Sequence, residues 1–297
     1  MAGDAFYGSV GLLLHGDGAN ESTTFTDSSN VPKLVTAFGN AQISTAQSLF
    51  GGASMLFDGS GDYLNLANSA DFSFGTGDFC IEFSTWRSSN KGDCIVVHNT
   101  ADASATAGWW VNFSSDNFVV YNNSSLIISV ASASLAGAAW KRWAVSRSGT
   151  TVRVFRDGVR IGESTSSASF DSSLGLQVGG HTSFGGFDPW FNGYIDELRI
   201  TKGQARRVAD YTPDAQAFPD YAYRLSGNVK DASGANAARR VIALSEPSEV
   251  VVGATTSNAT TGDYSIDTLT NEAHTLNFYP LSGEDLPVLT LGKVIPV

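Results

Sequence analysis

Residues 57–86 contain two runs in which apolar and polar positions alternate. In residues 63–66, Tyr63 and Asn65 fall on one face and two leucines on the other, and in residues 78–86 every second position from 79 to 83 is apolar. A period of two with one apolar face is typical of an antiparallel strand that packs on a second sheet. The segment between the runs is rich in Gly, Ser, Asn and Asp, which favour turns. We therefore predict two half-buried strands joined by a polar loop.

Strand-like runs of similar length continue through the first 200 or so residues, separated by Ser, Asn and Gly. They lie at residues 10–15, 94–98, 109–113, 118–121, 126–130, 140–158, 174–180 and 193–203. This spacing favours an all-β sandwich over a helical or α/β fold.

Two local features of these runs predict specific backbone geometry. Asp157-Gly158 stands between VRVF and VRIG. An Asp-Gly pair there is typical of a type I′ hairpin turn, whose positive φ values Gly adopts without strain. In residues 193–201 the alternation fails among Ile195, Leu198 and Ile200. A β-bulge, or burial of both faces of that strand, explains the failure.

These segments together resemble a known family. Residues 57–86 are followed in order by residues 140–158 (WKRWAVSRSGTTVRVFRDG), 174–180 (LGLQVGG) and 193–203 (GYIDELRITKG). The series resembles the laminin-G-like, concanavalin A-type jelly roll, in the form found in bacteriophage virion proteins. The resemblance implies a two-sheet jelly roll over residues 1–203 and a structural role in a virus particle. It does not name a ligand.

The sequence changes in style after residue 203, and this predicts a second domain. Residues 204–222 are interpreted as a linker with the pattern of one or two helical turns, ended by Pro213 and Pro219. Residues 223–297 resemble small transthyretin-like or carboxypeptidase-regulatory-like β-sandwiches, through Gly227-Asn228-Val229 and residues 256–266. A domain of about 75 residues is marginally stable alone. We therefore expect it to dock on a neighbour.

The charge of the chain excludes two classes of partner. The 297 residues carry a formal net charge of −11, with an isoelectric point near 4.7. An acidic chain without a basic cluster is repelled by nucleic acid and by anionic membranes. No apolar run approaches the roughly 20 residues of a membrane span, and the N-terminal MAGDAFYGSV lacks the features of a secretory signal peptide. We expect a protein made in a host cytoplasm, with neither nucleic acid nor membrane as partner.

The two cysteines are interpreted as free thiols. If the runs that contain Cys80 and Cys94 form one hairpin, Cys80 pairs opposite residue 99 or 100 rather than Cys94. That offset disfavours a disulfide, whose Cα atoms must lie within about 7 Å. Both residues then act as small core hydrophobes in a reducing compartment.

Catalytic and metal chemistry have weak support in the sequence. Asp196 and Glu197 are adjacent in a matching strand, where neighbours point to opposite faces, whereas a retaining glycosidase needs two carboxylates on one face. The four histidines have no zinc-like spacing. Asp58, Asp62 and Asp71 offer oxygen ligands for the Ca²⁺ that the resemblance implies, although turn capping explains the same residues. We predict no enzyme activity and no cofactor, with Ca²⁺ as the open alternative.

The strongest binding candidates are four aromatic residues in or beside loops, Trp109, Trp110, Phe187 and Trp190. Exposed rings near Asn or Asp form platforms on which sugars stack. The alternative is structural. Trp109 and Trp110 point to opposite faces of a strand, which places one of them in the core, and Trp190 leads into a strand whose end it can cover.

Three functional hypotheses follow. By resemblance, the protein is a bacteriophage virion structural protein on the capsid or tail surface, as a decoration, fibre or baseplate component. In that role it binds other virion proteins through its C-terminal domain, is oligomeric in the particle and can adhere to host glycans. The second hypothesis is a lectin-like, carbohydrate-binding module or adhesin without a virion role. The third, a glycoside hydrolase, has the weakest support.

Overall fold

The computed structural model describes residues 3–87, 94–99, 108–114, 117–123, 125–131, 139–171, 173–181, 190–231, 233–246, 248–268, 272–281 and 288–296. Its contacts divide the chain into two units. The sandwich unit comprises Ser9–Phe218, and the terminal unit comprises Met1–Gly8 together with Pro219–Val297. Residues 204–218 of the predicted linker thus belong to the sandwich unit.

The described part of the sandwich unit is built from short strands. They are β1 (Val10–Leu14), β2 (Val35–Phe38), β3 (Gln42–Ser44), β4 (Ser54–Asp58), β5 (Tyr63–Leu66), β6 (Phe79–Trp86), β7 (Cys94–Asn99), β8 (Trp109–Ser114), β9 (Asn117–Asn122), β10 (Ser125–Ala131), β11 (Trp140–Ser148), β12 (Thr151–Arg156), β13 (Val159–Thr165), β14 (Leu176–Val178) and β15 (Asn192–Lys202).

These strands pair antiparallel in two sheets. The eight-stranded sheet has the order β13-β12-β11-β6-β15-β4-β3, with β1 paired to β15, and the seven-stranded sheet has the order β10-β9-β8-β7-β14-β5-β2. The predicted fold class, an all-β two-sheet jelly roll, is confirmed. The hairpin assumed for the cysteines is wrong, because β6 and β7 belong to different sheets. Cys80 is a buried free thiol, and the side chain of Cys94 lies outside the described residues.

Aromatic residues from both sheets form the centre of the core. Phe118 on β9 stacks on Trp143 of β11 with ring centroids 4.8 Å apart, and it lies 6.3 Å from Phe83 of β6. All three side chains are buried. The apolar positions of the alternating strands therefore meet between the sheets, as a sandwich requires.

Both local backbone predictions are confirmed. Asp157 and Gly158 have φ values of 51° and 83° in the turn between β12 and β13. Two positive φ values define the type I′ geometry. In β15 the pairing with β6 shifts between Asp196 and Arg199, and Glu197 has a φ of 54°. The broken alternation thus marks a β-bulge.

One expectation about β6 is wrong. The alternating pattern predicts a strand with one buried face, but every residue of β6 except Trp86 is buried. The cause is residues 204–218, which cover the outer side of the eight-stranded sheet and contain no helical turn. Arg207 of this segment pairs with Glu82, and the backbone N–H of Phe218 donates to Glu197 at 2.6 Å.

The described part of the terminal unit contains six strands in two sheets. They are β16 (Tyr223–Asn228), β17 (Arg240–Ser245), β18 (Val251–Thr256), β19 (Asp263–Thr268), β20 (His274–Tyr279) and β21 (Leu289–Val294). A two-stranded sheet has the order β16-β19, and a four-stranded sheet has the order β18-β17-β20-β21. This is a small all-β unit, and its transthyretin-like assignment stays a prediction.

The core of the terminal unit is small. It consists of Leu225, Val241, Ala243, Ile266, Leu276 and Phe278. The edge strands β18 and β21 leave apolar side chains in solvent, with Val251 58%, Leu289 59% and Leu291 46% exposed. Such a unit has little apolar burial per residue to offset the entropy of ordering its chain.

Helical structure among the described residues is limited to two 3-10 turns, Tyr7–Ser9 and Ala70–Phe72. Neither has the length or hydropathy needed to cross a membrane.

Candidate functional site

The strands of the seven-stranded sheet contain no Asp, Glu, Lys or Arg. Their sequences, in chain order, are VTAF, YLNL, CIVVHN, WWVNFS, NFVVYN, SLIISVA and LQV. The polar residues of these strands are Asn, Gln, Ser, Thr, Tyr and one His. The outer face of a sheet is normally in contact with water and can carry charged side chains. Folding therefore does not explain why these strands lack charge in a protein of net charge −11. We interpret the uncharged face as a candidate binding surface.

One row of residues crosses all seven strands on the face away from the core. Consecutive Cα partners link Thr36, Asn65, Gln177, His98, Trp110, Tyr121 and Leu126. The side chains that alternate with this row, such as Leu64 and Val178, are fully buried in the core. Because successive residues of a strand point to opposite faces, the row lies on the outer face. We call it the outer row. The side chain of His98 lies outside the described residues.

Three aromatic residues extend this face at its β2 and β5 end. Phe38 stacks on Tyr63, its partner across the strands, with ring centroids 4.6 Å apart and an interplanar angle of 2°. Trp190 packs on Tyr63 at 5.9 Å and 28°. Phe38 is 41% exposed, while Tyr63 and Trp190 are half-buried. These three rings, the ring stack, form an apolar patch that solvent reaches.

The sequence also explains why the Trp190 ring sits there. A Cβ atom on Gly180 would lie 2.2 Å from Cε3 of Trp190. Glycine at this position therefore lets the ring lie against the backbone. Burial raises the pKa of the Tyr63 phenol above its ordinary value, so its hydroxyl stays protonated and can donate a hydrogen bond.

A second pair of rings lies further along the outer row. Trp110 and Tyr121 are cross-strand partners and stack with centroids 5.0 Å apart at 17°. Three strand spacings separate β5 from β8, which places Trp110 about 14 Å from Asn65, its counterpart on β5. The outer row thus has aromatic groups at two positions with polar residues between them.

Carboxamides occupy the stretch between the two aromatic groups. Nε2 of Gln177 donates to Oδ1 of Asn65 at 3.4 Å. Within the part of the chain that the structure describes, Oε1 of Gln177 and Oδ1 of Asn112 have no hydrogen-bond partner. Asn112 follows Trp110 by two residues and shares its face. Both unpartnered atoms are acceptors that the protein shields from solvent, whereas the rest of the Asn65 and Gln177 side chains is half-buried.

The four predicted aromatic candidates are not all in this site. Trp109 is 1% exposed, and its Nε1 donates to the carbonyl of Phe72 at 2.8 Å, so this ring belongs to the core. Trp109 occupies the inner face of β8, as the structural alternative for the Trp109-Trp110 pair expects. Trp110 faces outward but is 8% exposed, and Trp190 is in the ring stack. Phe187 lies outside the described residues.

Phe38, Tyr63, Asn65, Gln177 and Tyr121 were not predicted as site residues. The alternation that placed Tyr63 and Asn65 on one face was visible in the sequence. What was missing was the register, because β2 was not predicted and the partners of Tyr63 were unknown. Pairing between strands distant in sequence brings these residues together.

The charged residues of the eight-stranded sheet form a separate buried cluster. Oε2 of Glu82 accepts from Nε and Nη2 of Arg199 at 2.9 and 2.6 Å, and Oε1 accepts from Nε of Arg207 at 2.8 Å. Burial acts most strongly on the Glu82 carboxyl and raises its pKa, but the arginines together outweigh it and leave the pKa below the ordinary value. The cavity beside this cluster measures about 30 Å³. It has room for a water molecule but not for a sugar.

Asp196 and Glu197 are committed to backbone contacts at the bulge. Oδ2 of Asp196 accepts from the N–H groups of Leu49 and Phe50 at 2.7 and 3.2 Å. Glu197 accepts from Phe218 and lies 2.8 Å from Nδ1 of His15. Burial raises the pKa of Asp196 to about 7. Both side chains are buried.

The three aspartates considered for Ca²⁺ act within turns. Asp62 accepts from the N–H groups of Asn40 and Asp58, and Asp58 accepts from that of Ser60. Asp71 pairs with Lys33 at 2.9 Å. Among the described residues no group of three His, Cys, Asp or Glu side chains is arranged to hold a metal ion. Turn capping therefore accounts for the observed contacts of Asp58 and Asp62, and an ion pair accounts for that of Asp71.

Comparison with known proteins agrees with this architecture. Residues 58–207, just over half of the chain, match the family model of the concanavalin A-like lectin/glucanases superfamily. The chain belongs to this superfamily. A comparison with curated protein sequences finds no match.

Solved structures of the superfamily fold extend the comparison. Domain 4 of AbnA, a GH43 extracellular arabinanase from Geobacillus stearothermophilus in complex with arabinotriose, is similar at 15% identity over 67% of this chain and 95% of its own, with a TM-score of 0.50. The binding domain of botulinum neurotoxin serotype D/C is similar at 12% identity over 96% and 74%, with a TM-score of 0.50. Botulinum neurotoxin type C, which interacts with two ganglioside molecules, is similar at 14% identity over 92% and 70%, again at 0.50. At these identities the likeness concerns the lectin-like β-sandwich fold.

Proposed function

We propose that this protein binds carbohydrate through the outer face of the seven-stranded sheet. The observation that carries the proposal is the uncharged outer row, in which the carboxamides of Asn65 and Gln177 lie between the stacked pair Trp110–Tyr121 and the ring stack. Sugars combine apolar C–H faces with many hydroxyl groups. Aromatic rings contact the former, and amide groups pair with the latter.

The superfamily and its solved members support this assignment. Domain 4 of AbnA was obtained with arabinotriose, and botulinum neurotoxin type C interacts with gangliosides. Both structures resemble this chain in fold. The residues of the outer row carry the argument for this chain, since the likeness in sequence is low.

Replacement of Trp190 by Ala tests the proposal. We expect the affinity for a bound oligosaccharide, found by screening a glycan array and measured by isothermal titration calorimetry, to fall about tenfold or more. Trp86→Ala is a matched control, because Trp86 is also half-buried and packs on a tyrosine, Tyr194, at 5.5 Å, but on the eight-stranded sheet. The control should keep the affinity within about twofold.

Thermal unfolding of both variants separates binding from folding. If the two variants have similarly lowered unfolding temperatures and only Trp190→Ala loses affinity for the glycan, the result supports the outer face as the site. Equal loss of binding in both variants, in proportion to the unfolded fraction, would contradict the assignment. Failure of the wild-type protein to bind any glycan on the array would do the same.

We also propose that the protein is not a glycosidase. Glu82, Asp196 and Glu197 are buried and bonded to arginines, backbone N–H groups or His15, which leaves them no substrate to protonate or attack. Incubation with the polysaccharide that the protein binds should release no reducing ends. If the wild-type protein releases reducing ends and the Glu197→Gln variant does not, the proposal is wrong.

A role in a bacteriophage particle is a second candidate, favoured by the terminal unit. Its two edge strands, on opposite sides of the four-stranded sheet, expose Val251 on one and Leu289 and Leu291 on the other, and an edge strand with exposed apolar side chains is a surface on which another chain pairs. In this setting the terminal unit docks on other virion proteins, and the sandwich unit binds host glycan. Antibody labelling of purified particles, viewed by electron microscopy, would locate it on head or tail. Particles that carry no label, or that incorporate the protein without residues 223–297, would contradict this candidate.

A further inference from the structure

We infer that the outer face selects neutral glycans and excludes glycans that carry carboxylate, phosphate or sulfate groups. This inference rests on the proposed function, because it concerns the chemistry of the ligand at the same site. It goes beyond that function by assigning a substrate class.

The first reason is that the sheet supplies no cation. None of its strands contains Lys or Arg. Proteins recognise carboxylate, phosphate and sulfate with guanidinium or ammonium groups, or with free backbone N–H groups. In the interior of a sheet the backbone N–H groups are already paired in the ladders. An anionic sugar placed on this face loses hydration and gains no compensating ion pair.

The second reason is the character of the polar side chains that the outer row presents. Thr36 is exposed, and Asn65 and Gln177 are half-buried. Hydroxyl and carboxamide groups pair with sugar hydroxyls without a charged partner. The face is therefore matched to hydroxyl groups.

The third reason is the sign of the charges nearest the ring stack. Asp62 directly precedes Tyr63, and a Cβ atom on Gly180, the glycine beneath Trp190, would lie 2.8 Å from the Asp62 carbonyl. Asp58, whose N–H donates to Asp62, lies in the same turn. Two carboxyl groups at this end, in a chain of net charge −11, repel an anionic ligand.

Five described arginines are held away from the outer row. Arg199 and Arg207 pair with Glu82, and Arg160 lies 2.8 Å from Glu163, on the eight-stranded sheet and its covering segment. Arg147 shares the inner face of its strand with Trp143 and donates to the carbonyls of Gly149 and Ala168. The guanidinium of Arg87 is buried against the rings of Phe113 and Phe191.

A comparison of neutral and acidic polysaccharides tests the inference. Arabinan, galactan and β-glucan serve as neutral probes, and polygalacturonate, hyaluronate and heparin as acidic probes, in affinity gels at about 20 mM and about 500 mM NaCl. We expect retardation by at least one neutral probe, unchanged by salt within about twofold. Retardation by the acidic probes should be at least about tenfold weaker.

The outcomes separate this inference from the proposed function. An acidic probe that binds as tightly as any neutral one, with affinity lost at high salt, would overturn the inference and leave carbohydrate binding intact. Absence of binding to every probe, together with a blank glycan array, would overturn both.

Two lysine substitutions, one on each sheet, test whether the selectivity against acidic glycans arises at the outer row. Thr36 is exposed at the edge of the row, and Thr165 is exposed on β13 of the other sheet. Thr36→Lys should strengthen binding of the acidic probes at least about threefold at low salt, whereas Thr165→Lys should not. Equal effects of the two substitutions would show that net charge rather than the outer face decides selectivity, and would contradict the inference.

Discussion

The two sheets of the sandwich unit share one core but differ in the chemistry of their outer faces. The eight-stranded sheet carries Glu82, Arg147, Asp196, Glu197 and Arg199 within its strands, all of them buried. The seven-stranded sheet carries no Asp, Glu, Lys or Arg in its strands. In a simple sandwich both outer faces would be solvated and similarly polar. Here each face has a separate use.

The difference follows from what covers each sheet. Residues 204–218 lie over the eight-stranded sheet, and ion pairs and backbone contacts attach them there. Arg207 pairs with Glu82, the N–H of Phe218 donates to Glu197, and the N–H of Tyr211 donates to the carbonyl of Gly158. The charged residues Glu82, Asp196 and Glu197 thus make contacts that hold the fold together. The uncharged face is the one for which we propose a ligand.

Loss of the central carboxylate should have the largest effect on stability. Glu82→Gln removes the partner of the buried Arg199 and of Arg207, and we expect the free energy of unfolding to fall by about 3–5 kcal/mol. Urea unfolding followed by fluorescence measures the change. The fraction that remains folded should bind glycan with unchanged affinity, because the cluster is on the opposite side of the core. A loss of affinity in the folded fraction would break the distinction between the sheets.

Removal of the inward tryptophan should destabilise nearly as much. Trp109 is buried, stacks on Phe74 at 5.1 Å and donates to the Phe72 carbonyl, so Trp109→Ala should cost about 3–5 kcal/mol. Urea unfolding and calorimetric titration on the same samples test whether this residue supports the sheet without touching the ligand. A variant as stable as the wild type that no longer binds glycan would place Trp109 in the site instead.

The features of the fold that were predictable are those encoded locally. The period of two in residues 63–66, the Asp157-Gly158 turn and the broken alternation near Leu198 each depend on a few adjacent residues, and the structure confirms all three. The burial of both faces of β6 was not predictable. It depends on residues 204–218, which are more than 100 positions away in sequence.

The site was predictable only in part for the same reason. Trp190 could be proposed as a binding residue because it lies beside a loop, but its contact with Tyr63 spans 127 positions, from 63 to 190. Phe38 was missed because β2 has no clear alternation, and Gln177 because a single glutamine in a three-residue strand has no pattern. Only the register of the seven strands shows that these residues form one face.

The buried carboxyl at the bulge should make stability depend on pH. Burial raises the pKa of Asp196 in the folded state to about 7, whereas an unfolded aspartate titrates near about 3.9. Between these values the folded protein holds a proton that the unfolded chain has lost. The contribution of Asp196 to stability is thus greatest below about pH 4 and declines as the pH rises to about 7.

Asp196→Asn should remove this decline. Both N–H donors, from Leu49 and Phe50, bond to the same oxygen of Asp196, so the single amide oxygen of Asn can accept both. Relative to the wild type, the variant should gain stability between pH 5 and 8 by an amount on the order of a few kcal/mol at most. Urea unfolding at several pH values measures the slope. Parallel pH profiles for the two proteins would show that Asp196 does not titrate in this range.

The smallest effect is expected at the exposed edge of the charged sheet, and it sharpens the comparison. Glu163 lies 2.8 Å from Arg160 and 3.6 Å from Arg153, but about half of its side chain is in solvent. Water and salt screen such a pair, so Glu163→Gln should change the free energy of unfolding by less than about 1 kcal/mol. Urea unfolding under the conditions used for Glu82→Gln provides a direct comparison of the same chemical change. If the two substitutions lower the free energy of unfolding equally, charged residues of this sheet contribute to stability whether or not they are buried. If only Glu82→Gln is costly, the buried ion pairs that hold residues 204–218 over this sheet account for its charge, in contrast to the uncharged strands of the other sheet.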